Sequence, residues 1–248
     1  MATAQPSAAP ETRVAVVTGG GSGIGHATTV QLKAADFRVA VLDVGEVSAP
    51  ADLVVRADVT DPGDVGRAVD NVISTFGRID VLVNNAGITG SAQATNCHQT
   101  PIEEWNRVLA VNVSGPFLCS RAVLPTMLQQ NSGHIITVAS VAGLIAFPGR
   151  SAYTTSKGAA VALTRSLAVD YAAHGIRANA VCPGMVETPM TKWRLNDPSL
   201  RAQIESKIPM GRVAQAEEIA EAITLLASNH LDYMNGHTFV LDGGWSAW

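Results

Sequence analysis

Arg13-Val14-Ala15-Val16-Val17-Thr18-Gly19-Gly20-Gly21-Ser22-Gly23-Ile24-Gly25 is the stretch whose reading decides the fold. Its first part is a compact run of β-branched and small apolar residues, the pattern of a buried strand. The run stops at a series of glycines. An amphipathic pattern follows, with Ile24, Ala27, Val30 and Leu32 apolar and Lys33 charged, so strand, glycine turn and helix succeed one another. Glycines let the backbone approach a pyrophosphate closely, and a helix N-terminus offers amide donors and the positive end of its dipole. The spacing departs from G-x-G-x-x-G, and the turn alone also fits a plain loop; the strand before it and the helix after it favour a dinucleotide site.

Outward from this unit the same alternation continues. Residues 37–42 form a second apolar strand that closes on Asp43. An acid about 20 residues past a glycine turn accepts both ribose hydroxyls of NAD and repels the 2′-phosphate of NADP. Neither Val44 nor Gly45 is basic, so NAD is the expected cofactor, a solvated strand-end Asp being the plainer alternative. Residues 44–52 are too few for a helical crossover and predict a loop or single turn before a third strand at 53–56, which Ala57-Asp58-Val59 ends. Thr60-Asp61-Pro62 starts a helix that Phe76-Gly77 stops, and a fourth strand at 79–83 leads into Asn84-Asn85-Ala86-Gly87.

Residues 103–127 read as one long helix or two consecutive ones, with a kink expected at Pro116. Asn112 within them is, on residue chemistry alone, a mild defect turned to solvent. A fifth strand (134–140), a helix (153–171), a sixth strand (177–181), a helix (217–228) and a seventh strand (237–241) complete the chain. The expectation is a single α/β domain over 12–248: a Rossmann-like, doubly wound parallel sheet of about seven strands with helices on both faces. Ligands bind such sheets at the C-terminal ends of the strands. The polar, irregular stretch near 185–210 is expected there as a substrate lid.

Composition narrows the function classes. Of 248 residues, 47% are hydrophobic and 15% charged, which indicates a well-packed globular chain. The net charge of −4 and the lack of a basic cluster argue against nucleic acid or a membrane surface as partner. Cys97, Cys119 and Cys182 are scattered and odd in number, as expected of a reducing compartment without disulfides or a metal site. Residues 1–11 are rich in Ala and Pro, with no basic start and no apolar core, and are expected to be a disordered tail. No apolar run approaches the roughly 18 to 20 residues of a bilayer span, so a cytoplasmic, soluble protein is expected.

The chemistry centres on Ser151-Ala152-Tyr153-Thr154-Thr155-Ser156-Lys157. On a helix Tyr153 and Lys157 stand at i and i+4 and share a face. A phenol of pKa about 10 is a poor base near neutrality, but a nearby cation stabilises the phenolate and fits it for proton exchange with an alcohol or ketone. Ser140, thirteen residues before Tyr153, ends an apolar strand and could reach the same oxygen. Such Tyr/Lys pairs are also common on solvated helix faces, so the pair alone decides nothing.

Taken together, Thr18-Gly19-x-x-x-Gly23-x-Gly25, Asn84-Asn85-Ala86-Gly87, Asn112, Ser140, Tyr153-x-x-x-Lys157 and Pro183-Gly184 resemble, in order and spacing, the short-chain dehydrogenases/reductases, from about residue 13 onward. The resemblance implies that Tyr153 is the acid/base, that Lys157 lowers its pKa and binds the nicotinamide ribose, and that Ser140 orients the substrate oxygen. It implies that Asn112 holds a water linking Lys157 to solvent. Further cofactor contacts are implied for Gly19, Ser22, Gly23, Ile24, Gly25, Asp43, Asp58, Val59, Asn85, Ala86, Gly87, Pro183, Gly184, Val186 and Thr188, with Asp58 and Val59 beside the adenine. The short crossover after Asp43 is the main departure from the family pattern.

Residues 146–157 and 183–195 resemble more closely a member of the family whose substrate carries a sulfonate, which implies an anion-binding role for Arg150 and Arg194, next to Trp193; arginine suits bidentate oxyanion contacts. An Arg three residues before the catalytic Tyr is widespread in the family, so Arg194 is the more telling of the two. The expected reaction is NAD-dependent interconversion of a secondary alcohol, sulfonate-bearing, aryl or neutral, and its ketone. One alternative is a 3-oxoacyl thioester (ACP or CoA) reductase, which usually prefers NADPH and against which Asp43 argues. Another is an NAD-binding scaffold without turnover, which the complete catalytic set disfavours. Family members commonly form homotetramers through two long helices and the C-terminal edge. Trp245 and Trp248 fit that assembly, a tail packed within one subunit being the alternative.

Overall fold

The structure is a computed structural model that describes residues 12–247, so the expectations for the tail and for Trp248 lie outside it. Seven strands form one parallel sheet: β1 (Val14–Thr18), β2 (Arg38–Asp43), β3 (Leu53–Arg56), β4 (Val81–Asn84), β5 (Gly133–Val138), β6 (Ile176–Pro183) and β9 (Thr238–Leu241). Their order across the sheet is β3-β2-β1-β4-β5-β6-β9. Val16 of β1 lies opposite Ala40 of β2 on one side and Leu82 of β4 on the other. The expected doubly wound sheet is present, and the order reverses at β1, with β4 on its other side. That reversal opens the crevice in which such folds bind ligands.

Each face of the sheet has its own core because side chains alternate along a strand. Val14, Val16, Leu82 and Ile135 pack with α2 (Pro62–Phe76) and α4 (Gly115–Gln130). Ala15, Val17, Val83 and Ile136 pack with α1 (Gly23–Ala34) and α8 (Ala216–Ala227) through Leu32, Ile219, Ile223 and Leu226. Both layers bury their residues almost completely. The β2–β3 connection is a loop, as its length predicts. The third strand ends at Arg56, leaving Ala57, Asp58 and Val59 as a turn at its C-terminal end. Asp61 caps α2 by accepting from the Asp64 N–H, and Gly77 closes it at φ 77°.

One expectation is revised between β4 and β5. Residues 102–130 form one continuous rod: α3 (Ile102–Leu109), a π-helical turn (Ala110–Ser114) and α4. The ladder widens just before Pro116, whose ring would crowd the carbonyl of Asn112 in a regular helix, so a π turn takes the place of the expected kink. By length and mean composition the rod could cross a membrane, although charged and polar residues such as Arg107, Asn112 and Arg121 interrupt its apolar run. In the fold it packs against α2, β4, β5 and α5 (Ser151–Tyr171) as a core helix.

The stretch after β6 is also more regular than expected. It holds β7 (Val186–Glu187), α6 (Lys192–Leu195), α7 (Pro198–Glu205) and β8 (Ala214–Gln215), and β7 and β8 pair as a two-stranded ladder. Asp197 caps α7 through the Ser199 and Leu200 N–H groups. In the C-terminal turn, partly buried Trp245 packs against Leu195, Ile208 and Val213 in a small apolar cluster.

Candidate active site

The glycine turn is shaped by contacts that only glycine permits. Gly19 and Gly23 hold φ of 65° and 51°. A Cβ on Gly25 would lie 2.1 Å from the Gly19 carbonyl oxygen. Gly25 therefore lets the first turn of α1 sit against the end of β1, and it stands behind the residues that line the nucleotide cleft. The Ser22 side chain does not cap α1, and no acid stands in its first turn. The first amides of the helix are thus free for an anion.

The neighbouring strand end is locked to this turn. Thr18 Oγ1 accepts from the Asn85 and Ala86 N–H groups at 3.0 and 3.1 Å, and Asn85 Nδ2 donates to the Thr18 and Gly19 carbonyls at 3.0 Å each. Asp43 accepts from the Gly21 N–H through Oδ2 and from the Gly45 N–H through Oδ1, both at 2.9 Å. A cleft of about 450 Å³ runs past these groups. Gly19, Ser22, Gly23, Ile24, Asp43, Asp58, Val59, Asn85, Ala86, Gly87, Tyr153, Lys157, Pro183, Gly184, Val186 and Thr188 all line it. Lys157 is the one cation among its described lining residues, and Asp43 and Asp58 are its acids.

A second cavity of about 370 Å³ adjoins the first and shares Ser140, Tyr153, Gly184, Met190 and Thr191 with it. The catalytic candidates therefore stand at the junction. Ser140, two residues beyond β5, is buried, and its Oγ accepts from the Ala142 N–H at 3.1 Å. Lys157, one turn along α5 from Tyr153, is buried, and its Nζ donates to the Val138 carbonyl at 2.8 Å. The ammonium lies 5.8 Å from the centre of the Tyr153 ring.

Burial and charge act in opposite directions on the two titratable catalytic candidates. Burial raises the Tyr153 pKa above that of an ordinary phenol, against the opposing pull of the Ser140 hydroxyl and the Arg150 charge. Burial also lowers Lys157 to about 8. For both groups desolvation outweighs the attraction of neighbouring charges and hydrogen bonds.

One expectation for Asn112 is corrected. It is buried, so it is not turned to solvent. Its Oδ1 accepts from the Ile88 N–H at 2.9 Å, and its Nδ2 donates to the Ile88 carbonyl at 2.8 Å and to Ser156 Oγ at 3.0 Å. With the side chain engaged this way it ties the π turn to the loop after β4 and to α5, and it lines neither cavity.

Arg150, Trp193 and Arg194 line the second cavity, as the closer resemblance implies, and the Arg194 guanidinium stacks 4.7 Å over the Trp193 ring. Phe147, Lys207 and Trp245 line it too and were not anticipated. Lys207 lies in a stretch with no periodicity, and Trp245 reaches the cavity only because the C-terminal turn folds back.

A family model described as Enoyl-(Acyl carrier protein) reductase matches residues 19–246. The 2-(R)-hydroxypropyl-CoM dehydrogenase of Xanthobacter autotrophicus is 53% identical, over 95% of this chain and 99% of its own length. The cis-4-hydroxycyclohexanecarboxylate dehydrogenase of Sinomonas cyclohexanicum is 40% identical over 95% of this chain and 97% of its own length. Among solved structures, ElxO with NADP bound superposes with a TM-score of 0.89 at 28% identity, covering 96% of this chain and 100% of that one. With the parallel sheet, the uncapped glycine turn and the Ser140, Tyr153 and Lys157 junction, these matches place the chain in the short-chain dehydrogenase/reductase family.

Proposed function

We propose that the chain is an NAD-dependent dehydrogenase of a secondary alcohol that carries an anionic group, a sulfonate in the first instance. One observation carries the reading. Tyr153 and Ser140 stand where the nucleotide cleft meets a cavity whose charged lining is Arg150, Arg194 and Lys207, with no carboxylate among the described residues. The relative named for 2-(R)-hydroxypropyl-CoM, a sulfonate-bearing alcohol, supports it.

The residues present fit a nicotinamide dinucleotide. Free amides at the start of α1 suit a pyrophosphate, Asp43 suits a ribose diol, and Lys157 and Tyr153 border the end nearest the second cavity. Bound there, the nicotinamide supplies the hydride acceptor. The chain handles the proton. Ser140 Oγ and Tyr153 Oη would hold the substrate oxygen, and the tyrosinate takes the hydroxyl proton as the carbinol C–H is lost and the C–O bond becomes a carbonyl. Lys157 and Arg150 favour the tyrosinate, and both gain strength once bound ligand excludes water. Preference for NAD over NADP rests on the pairing of Asp43 with Asp58 and on the lack of an Arg in the cleft lining. A homotetramer is part of the same reading. Ile102, Phe117 and Val169 are exposed apolar residues of the long helices, and a stable monomer in sedimentation would reject it.

Steady-state oxidation of the 2-hydroxypropyl-CoM enantiomers and of uncharged 2-alkanols, with NAD and with NADP, tests the proposal. Arg194→Ala is expected to lower kcat/KM for the sulfonate by about 10²-fold, the scale of losing one partner of a charge pair, and to leave uncharged alcohols within about twofold. Tyr153→Phe is expected to remove turnover by about 10² to 10⁴-fold; a scaffold would keep its function. Faster oxidation of uncharged alcohols, with Arg194→Ala silent, would sink the anionic reading.

A further inference from the structure

The turn after β9 folds back over the second cavity and is built to stay there. Asp242 Oδ1 accepts from the Gly244 N–H at 2.9 Å, and its Oδ2 accepts from the Ser246 N–H at 2.7 Å. Gly243 and Gly244 take φ of 64° and 88°, where a side chain would be strained. The turn sets the Trp245 indole edge-on to Phe147, with ring centres 5.0 Å apart and planes inclined by 67°. The indole also packs with Leu195 and Ile208. Three segments remote in sequence, the loop before α5, the stretch around α6 and α7, and the C-terminal turn, thus meet at one ring. Trp245 and Phe147 line the second cavity and not the nucleotide cleft.

We propose that Trp245 is a specificity-determining residue. Its indole, braced by Phe147, forms a rigid wall that limits the length of the substituent the second cavity accepts beside the reacting carbon, so that short substrates enter and long acyl chains do not. This rests on the reading of the second cavity as the substrate site. At about 370 Å³ that cavity is near the lower end for small-molecule sites. Its aromatic wall is held by the edge-on contact with Phe147 and by packing on Leu195 and Ile208, and it stands on a turn fixed by backbone hydrogen bonds.

The test compares wild type with Trp245→Ala, Trp245→Phe and Phe147→Ala. Binding of alkanesulfonates from ethane- to octanesulfonate is measured by calorimetry, and reduction of methyl ketones of rising length is measured with NADH. Wild type is expected to favour the short members of whichever series it accepts. Trp245→Ala is expected to shift the long-to-short ratio by about tenfold, the scale of one or two methylenes in a pocket. Phe147→Ala should shift it the same way, and Trp245→Phe should stay near wild type. NADH affinity should hold within about twofold in all three.

An unchanged ratio in both alanine variants overturns the proposal. So does a uniform loss over all lengths with weakened NADH binding, which would make Trp245 a packing residue alone. Wild type binding neither series overturns it as well. If alkanesulfonates bind and shift as expected while no alcohol or ketone is turned over, the wall stands and the dehydrogenase reading fails.

Discussion

A buried lysine at the edge of a cleft is costly to keep charged. Lys157 is held at about 8, against the ordinary 10.5 of an unfolded chain. Between those values the unfolded state binds more protons, so stability contributed through this residue is lowest below pH 8 and recovers as pH rises toward 10.5. The urea midpoint of wild type relative to Lys157→Met should therefore move in favour of wild type between pH 7.5 and 9.5. A pH-independent difference would show that the ammonium is not paying for its burial. The i, i+4 spacing of Tyr153 and Lys157 made the pair visible, and only the order and spacing of the other motifs along the chain singled it out, together with Ser140, as a catalytic set. The direction of the Tyr153 shift was not legible, since it depends on the walls that Arg150, Cys182 and Ser140 place around it.

At the level of elements, the two glycines with the most instructive surroundings are Gly25 and Gly66. Alanine at Gly25 would drive its methyl into the Gly19 carbonyl, forcing the start of α1 away from β1. Gly66, inside α2, has no atom within 4 Å of its would-be Cβ. Gly25→Ala is expected to weaken dinucleotide binding at least about tenfold and to destabilise by about 1 to 3 kcal/mol. Gly66→Ala is expected to stabilise by about 0.5 to 1 kcal/mol. Titration of NADH fluorescence and urea unfolding check both, and equal effects would refute the packing argument. The strand, turn and helix around Gly25 could be read from periodicity, but its partner could not, because Gly19 touches it only once the turn has closed. The π turn escaped for a similar reason: Pro116 signals a disturbance, but the choice between kink and widened ladder is made by Asn112 reaching Ile88 and Ser156.

At the scale of the whole molecule, one buried network ties the C-terminal strands β5 and β6 to α8 and to the segment before β9. His134 of β5 contacts the Leu226 carbonyl through Nδ1 at 3.1 Å, and its Nε2 lies 2.9 Å from Asn179 Nδ2 on β6. Asn179 in turn donates to the Met234 carbonyl and accepts from the His237 N–H. With Asn179 donating to Nε2, the imidazole is neutral, and burial holds it at about 3. The unfolded chain takes up this proton near 6.5, so stability is lost as pH falls from there toward 3. At pH 4.5 the loss is expected to be on the order of 2 kcal/mol, and His134→Gln should flatten that part of the profile in urea unfolding. Nothing in the sequence announced this network. The doubly wound order was legible from alternation alone, whereas partners 45 and 92 residues apart meet only after the sheet has formed.

The β7–β8 ladder has a consequence of the same scale. Val186 pairs with Ala214 and Glu187 with Gln215, and Arg201 bridges to Glu187 at 3.0 Å. The stretch between is a cassette stitched into the fold at both ends, next to the nucleotide cleft but outside the sheet. Residues 188–191 of this stretch line the nucleotide cleft, and Trp193, Arg194 and Lys207 line the second cavity. One strap of chain is thus a shared wall, so a shift in its seating would be felt at both ends of the reaction at once.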